Sequence, residues 1–147
     1  MSNPDPTALP RPEELLPHRP PFLLVDELTS IVPGVSASGR WKLTGDEYFF
    51  AGHFPGRPTL PGVLMCEAIA QVGAAAVLAD PKFAGKLPLF GGLDGARFRR
   101  QVEPGETLDL RVEMGRLSAR AGKGHGVASV GGVTACEVDL LFVIVDG

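Results

Sequence analysis

Hydrophobic and polar residues alternate at a period of two in the second half of the chain, first over residues 108–114 and again over residues 138–144. Successive side chains of a strand point to opposite faces of a sheet, so this alternation predicts strands with one buried face. Turn signals at Pro104-Gly105 and Gly131-Gly132 join these strands by short connections. Short connections indicate antiparallel order.

The first half of the chain contains weaker signals. Residues 22–25 (FLLV) begin an extended run that continues past a Pro33-Gly34 turn, and residues 41–44 alternate between apolar and polar. Residues 11–16 can form a short helix. Prolines and glycines recur in residues 45–61, which excludes a regular helix there and predicts a loop.

One long helix is predicted from Gly62 to about Asp80. The segment is rich in Ala, Leu and Val, contains no internal proline, and ends at the stop signal Asp80-Pro81. Its apolar positions occur all the way round, so other structure must enclose it. In a small domain only a curved sheet can do so. The pattern therefore predicts an α+β fold, in which an antiparallel sheet of five to six strands wraps one buried helix.

Composition limits the class of protein. A chain of 147 residues with 44% hydrophobic and 21% charged residues is typical of one soluble globular domain. We expect this domain to span residues 1–147, with residues 1–11 as a flexible leader. The net charge of -3 offers no basic field for nucleic acid, and Glu67 and Gln71 interrupt the longest apolar stretch, so a membrane span is not expected.

The two cysteines, Cys66 and Cys136, lie in apolar runs without metal-ligand spacing. We interpret both as small buried hydrophobic residues. A reducing compartment is the simpler interpretation of such cysteines. Together with an amino terminus that lacks the pattern of a secretory signal, this predicts a cytoplasmic protein.

His53 is the first candidate for chemistry. It lies in the segment GHFPG, where glycines permit close backbone approach and the proline limits the freedom of the loop. A histidine held in this way suits a general base. The alternative is a histidine that only caps a turn.

Glu67 is the second candidate, because it lies in the second turn of the predicted buried helix, with Gln71 four residues later on the same face. Burial raises the pKa of an unpaired carboxyl, and a raised pKa is what a general acid near neutrality requires. The alternative is a structural carboxylate. At the helix start, Pro61-Gly62-Val63 offers unpaired amides to an oxyanion. A base, an acid and an oxyanion donor are what elimination next to a carbonyl demands.

Two motifs resemble the β-hydroxyacyl-acyl-carrier-protein dehydratases of bacterial fatty-acid synthesis (FabZ type). Residues 16–26 read LPHRPPFLLVD, and residues 52–71 read GHFPGRPTLPGVLMCEAIAQ. Residues 94–105 resemble the strand and turn that follow the central helix in that family. The resemblance covers most of the chain and implies the hot-dog fold.

The resemblance implies a hydro-lyase that converts (3R)-3-hydroxyacyl-acyl-carrier-protein thioesters to trans-2-enoyl thioesters. His53 would take the C2 proton, Glu67 would assist loss of the C3 hydroxyl, and the Gly62 amide would polarise the thioester carbonyl. Gln71 would orient Glu67 or the released water. Isomerising relatives carry Asp at the position of Glu67, so isomerisation is not expected. Further substrate-binding positions are Phe54 and Val63.

The resemblance also implies partners. The histidine and glutamate of one site would come from different subunits of a homodimer joined edge to edge, and three dimers would form a hexamer. An acidic acyl carrier protein would present the substrate on its phosphopantetheine arm, without a metal or redox cofactor. We interpret His18 and His125 as structural and away from the catalytic pair. Candidate docking charges are Arg97, Arg99, Arg100 and Lys123.

Three alternatives remain open at this point. Hot-dog thioesterases share the fold and also bind acyl carriers, but they lack this pairing of a histidine loop with a glutamate helix. A dehydratase of a specialised lipid or polyketide pathway would carry the same residues. A binding protein that kept the fold after losing activity would not depend on His53 or Glu67.

Overall fold

The structure is a computed structural model that describes residues 8–147, so most of the predicted leader lies outside the described residues. Within residues 8–147 the chain forms two helices, one short 3₁₀ segment and six strands. They are α1 (Pro12–Leu15), β1 (Glu27–Val32), β2 (Ser36–Lys42), α2 (Gly62–Leu78), the 3₁₀ segment Pro81–Phe83, β3 (Lys86–Phe98), β4 (Thr107–Leu117), β5 (Ala121–Val130) and β6 (Val133–Asp146).

All six strands belong to one antiparallel sheet with the order β1-β2-β4-β5-β6-β3. The alternation over residues 108–114 falls on β4, whose Leu108, Leu110 and Val112 are buried. Gly131 and Gly132 join β5 to β6 with φ angles of 56° and 82°. Positive φ at both positions is the requirement of a tight two-residue hairpin turn, which glycine meets without strain. The predicted antiparallel sheet and its α+β class are confirmed.

Helix α2 lies against the sheet and is enclosed as predicted. Thirteen of its 17 residues are buried, and it contacts β1, β2, β3, β4, β5 and β6. At Gly126 of β5, an added Cβ would lie 2.1 Å from Cγ2 of Ile69. The absence of a side chain at position 126 therefore allows the helix to lie directly on the sheet.

The extended run predicted to begin at Phe22 is not a strand at its start, and β1 begins only at Glu27. The backbone of this segment bonds to a side chain instead of to a neighbouring strand: the N–H of Leu24 donates to Oε1 of Gln71 at 2.9 Å. Leu24 and Val25 are both buried. The apolar run thus reflects packing of an irregular segment against α2.

The structure bears on two expectations from the sequence, the burial of the cysteines and the absence of a membrane span. Cys66 and Cys136 are buried and free, with their sulfur atoms 4.0 Å apart, as the sequence predicts. Among residues 8–147, no helix is both long enough and apolar enough to cross a membrane.

Strand β3 is a long edge strand. It pairs with β6 on one side, with irregularities between Phe90 and Gly92 and between Asp94 and Arg97. In the described part of the chain no strand pairs with its other side. Several large apolar side chains along it are exposed, and these are Leu89, Phe90, Leu93 and Phe98. An apolar strand edge of this kind is typical of an interface.

Candidate active site

His53 is held by the backbone of its own loop. Its N–H donates to the carbonyl of Phe50 at 3.2 Å, and its carbonyl accepts from the N–H of Thr59 at 2.8 Å. Nδ1 of its ring lies 2.7 Å from the carbonyl oxygen of Thr59. A carbonyl can only accept, so Nδ1 carries the proton and Nε2 keeps a free lone pair. The ring can therefore accept a proton at Nε2.

The His53 ring and the start of α2 line one cavity of about 570 Å³. Phe54 stacks on the His53 ring with centroids 4.0 Å apart, and Val63 is exposed at the rim. An added Cβ at Gly62 would lie 2.8 Å from the Phe98 ring, so the bare backbone lets the ring approach. In the described part of the chain no side chain caps α2. The Leu64 amide donates to the Pro61 carbonyl at 3.0 Å, whereas the amides of Gly62 and Val63 precede the first intrahelical bond.

Glu67 is partly buried one turn further along α2. Burial raises the pKa of its carboxyl, and a hydrogen bond from Gln71 acts in the opposite direction. Nε2 of Gln71 donates to Oε1 of Glu67 at 3.1 Å and to the carbonyl of Phe22 at 2.9 Å. Because the Leu24 N–H donates to the other end of this amide, the Gln71 nitrogen must face Glu67. Oε1 is thus an acceptor, and the acid proton belongs on Oε2.

His18 is closer to the acid than the sequence suggests. We expected it to be away from the catalytic pair, but its Nε2 lies 3.7 Å from Oε1 of Glu67, so that expectation is wrong. The cause is the opening segment, which Gln71 ties to α2 through Phe22 and Leu24. Sequence spacing gave no signal of this contact, because the segment is irregular and lies far from α2 along the chain.

His53 and Glu67 face different cavities within one chain. The cavity at Glu67 is small, about 160 Å³, and shares no lining residue with the cavity at His53. Its lining residues are His18, Glu67, Ala70, Gln71, Ala74, Pro88, Leu89, Phe90 and Phe142. His53 lies in the predicted loop and Glu67 on the predicted helix. A single chain, however, does not bring the two side chains into one cavity.

The four candidate docking charges fall into two places. Arg99 and Arg100 line the His53 cavity, and each forms an ion pair, with Glu137 and Glu106 respectively. Arg97 is exposed nearby on β3.

Lys123 lies on the outer face of the sheet, in a separate cavity that also contains His125. His125 is exposed there and bonds to Asp139 at 2.8 Å. Across residues 8–147, no group of three or more His, Cys, Asp or Glu side chains is arranged to hold a metal ion.

The chain resembles known proteins over most of its length. A family model described as a FabA-like domain matches residues 16–139. The 3-hydroxyacyl-[acyl-carrier-protein] dehydratase FabZ of Moorella thermoacetica is 53% identical over 130 residues, covering 88% of this chain and 91% of that protein. The protein of the same name from Chloroflexus aggregans is 52% identical over 132 residues, covering 90% and 92%.

A solved structure supports the fold independently. It is the dehydratase heterocomplex ApeI:P from Xenorhabdus doucetiae, which superposes with a TM-score of 0.78 at 17% identity, over 92% of this chain and 91% of that one. At this identity the likeness concerns the fold, and it agrees with a hot-dog architecture. The family model spans residues 16–139, and the curated relatives are identical to this chain at about half of the aligned positions. The chain therefore belongs to the FabA-like family, among its FabZ-type dehydratases.

Proposed function

We propose that this protein removes water from (3R)-3-hydroxyacyl-acyl-carrier-protein thioesters and forms trans-2-enoyl thioesters in fatty acid biosynthesis. The observation that carries the proposal is the chemistry of the two candidate residues. The Thr59 carbonyl fixes His53 as a base at Nε2, and burial keeps the Glu67 carboxyl protonated to higher pH. The curated relatives carry the name of this reaction.

The reaction needs one proton removed and one delivered. Nε2 of His53 takes the proton from C2, and the electron pair left behind is stabilised by a hydrogen bond from the Gly62 amide to the thioester oxygen. That pair then forms the C2–C3 double bond as the C3–O bond breaks, and Oε2 of Glu67 gives its proton to the departing oxygen. Water leaves, and solvent restores the two side chains.

Two chains are required to complete the site. We propose that β3 pairs with β3 of a second copy in antiparallel order about a two-fold axis near Leu93. Such pairing places the Phe98 end of one strand opposite the Pro88 end of the other. The His53 cavity borders the first end and the Glu67 cavity the second, so each composite site takes one residue from each chain. Three dimers forming a hexamer remain part of this proposal.

The acyl carrier protein is proposed to dock beside the His53 cavity. Arg97, Arg99 and Arg100 lie at that end of β3 and offer positive charge to an acidic partner. Lys123 lies on the outer face of the sheet, in a different cavity, and the docking surface is proposed without it. Dehydration moves protons without net oxidation, so we propose no metal or redox cofactor beyond the carrier's phosphopantetheine.

The test is an absorbance assay with a 3-hydroxyacyl thioester. The wild-type protein should generate the ultraviolet absorbance of an enoyl thioester. His53→Ala and Glu67→Gln should each lower kcat at least about 100-fold, because each removes a proton-transfer group. The matched control is His125→Gln, an exposed histidine, which should keep the wild-type rate. Free thiol without enoyl product would replace this proposal with a thioesterase.

A further inference from the structure

His18 and Glu67 face the same small cavity without bonding to each other. Nε2 of His18 lies 3.7 Å from Oε1 of Glu67, beyond hydrogen-bond distance, and that oxygen already accepts from Gln71. Two polar atoms at this distance can both form hydrogen bonds to a third polar atom, such as the oxygen of water. The cavity holds about 160 Å³ and its remaining wall is mostly apolar, so it can admit an oxygen atom that contacts both residues.

The protonation of His18 follows from its surroundings. Its Nδ1 is buried and has no hydrogen-bond partner within the described residues. A proton on Nδ1 would bury an unpaired N–H group, so the ring carries its one proton on Nε2 and stays neutral. Burial first, and the Arg19 guanidinium second, lower the pKa of His18, which agrees with a neutral ring. Nε2–H is then a donor that lies 3.7 Å from Oε1 of Glu67.

The backbone that carries this donor is held by hydrogen bonds. Nη1 of Arg19 donates to the carbonyls of Leu16 and His18, at 2.7 Å in each case. Gln71 holds the following segment through Phe22. A donor carried on a backbone held in this way needs little rearrangement during a reaction.

We propose that His18 is a further catalytic residue, whose Nε2–H binds the departing C3 oxygen while Glu67 protonates it. This inference rests on the proposed dehydration. As the C3–O bond breaks, its electron pair stays on the oxygen, which receives the Glu67 proton and accepts a hydrogen bond from His18. The water that forms donates to the new Glu67 carboxylate and still accepts from His18, which begins and ends the cycle neutral.

The neighbourhood of His18 contains few other ionisable groups. The titratable residues lining the cavity are His18 and Glu67, and the residues contributed by β3 and β6 are Pro88, Leu89, Phe90 and Phe142. Arg19 is the nearby cation on the same segment. A fixed neutral donor suits this setting, since a cation at position 18 would lower the pKa of Glu67 and ionise the acid before it acts.

The experiment compares His18→Leu, which removes the donor, with His18→Gln, which supplies a neutral N–H, using the full-length protein. With a 3-hydroxyacyl pantetheine thioester, His18→Leu should lower kcat about 10- to 100-fold with KM within about threefold, as expected for one lost donor at a charge-developing atom. The kcat of His18→Gln should be within about fivefold of the wild-type kcat. His125→Leu is the matched control, because His125 lies on the outer face of the sheet.

The rescue comparison separates this role from a structural one. Glutamine supplies a neutral N–H at position 18 and leucine supplies none, so kcat should follow the presence of the donor while KM stays nearly constant. A His18→Gln kcat as low as that of His18→Leu, or a His18→Leu kcat within twofold of wild type, would overturn the inference. If the melting temperature shows that His18→Leu does not fold, His18→Met replaces it and is judged by the same criteria.

Failure of this inference can be told apart from failure of the proposed function. A wild-type protein that forms no enoyl product would overturn both. A wild-type protein that forms it, alongside an unaffected His18→Leu, would overturn the role of His18 alone.

Discussion

Glu67 illustrates how the burial of one carboxyl raises its pKa at the expense of stability. Its carboxyl is partly buried, and one neutral donor, the Gln71 amide, contacts it. Burial opposes ionisation more strongly than this hydrogen bond favours it, which leaves the pKa raised. The folded protein therefore holds the proton to a higher pH than the unfolded chain does.

This predicts that Glu67→Gln stabilises the protein increasingly as pH rises. The unfolded chain releases the Glu67 proton first, so wild-type stability falls as pH rises from the ordinary glutamate pKa through the raised folded pKa. The glutamine variant has no such loss. Urea unfolding at pH 4 and at pH 8 should show a larger advantage for the variant at pH 8. A stability advantage of Glu67→Gln that is smaller at pH 8 than at pH 4 would contradict the raised pKa of Glu67.

At the same scale, the sequence identifies His53 and Glu67 as candidates because each has an unusual setting. His53 lies in a Gly- and Pro-rich loop, and Glu67 interrupts an apolar helix. The Thr59 carbonyl that fixes the His53 tautomer is a backbone atom, and backbone contacts leave no residue-type signal. The position of His18 could not be predicted from the sequence for the same reason. Backbone contacts of an irregular segment bring it close to Glu67.

At the scale of elements, the contact between α2 and the sheet depends on small residues. Position 126 on β5 and position 73 on α2 are both glycine, and Ile69 and Phe142 fill the space that side chains there would take. Interiors are packed closely enough that one added methyl group forces the neighbours to move.

Gly126→Ala should therefore lower the free energy of unfolding by about 1–3 kcal/mol, the usual cost of overpacking a core. The added Cβ would meet Ile69 at 2.1 Å, so α2 must shift away from β5. Urea denaturation measures the change. Gly52→Ala is the matched control, since nothing lies within 4 Å of its added Cβ, and it should change stability by less than about 0.5 kcal/mol. Equal effects of the two substitutions would contradict the close contact.

Elements differ in how well their sequence predicts them. Strand β4 is evident because one of its faces is buried and the other is exposed, which produces strict alternation. Strand β3 contains a proline, three glycines and a mostly exposed burial pattern, so periodicity alone does not reveal it and only the family resemblance indicated it. The side chains of β3 are mostly exposed on both faces of the strand, so no difference in burial produces an alternation of apolar and polar residues.

At the scale of the whole molecule, the proposed dimer would join the cavities of His53 and Glu67, which are separate within one chain. Each chain would contribute a base to one composite site and an acid to the other. Substitutions of the two residues should then complement each other between chains.

Mixing inactive His53→Ala and Glu67→Gln chains under conditions that allow subunit exchange should restore activity. Half of randomly formed dimers are mixed, and each mixed dimer has one intact site of two, so recovery should approach roughly a quarter of the wild-type rate. The enoyl absorbance assay measures it. As a control, His53→Ala chains are mixed with chains that carry both His53→Ala and Glu67→Gln. This mixture should recover no activity. If the first mixture also stays inactive, both residues of a site belong to the same chain.

The all-round burial of α2 has a consequence for biosynthesis. The helix is complete at Leu78, whereas β6, the last strand to cover it, ends about 70 residues later. Ribosomes add roughly 5–20 residues per second, so this apolar segment waits on the order of 4–14 s for its full cover. When α2 has just been made, β1 and β2 are the only strands of the described residues, 8–147, that are already present and contact it. We therefore expect nascent chains arrested before β4 to aggregate or to recruit a chaperone.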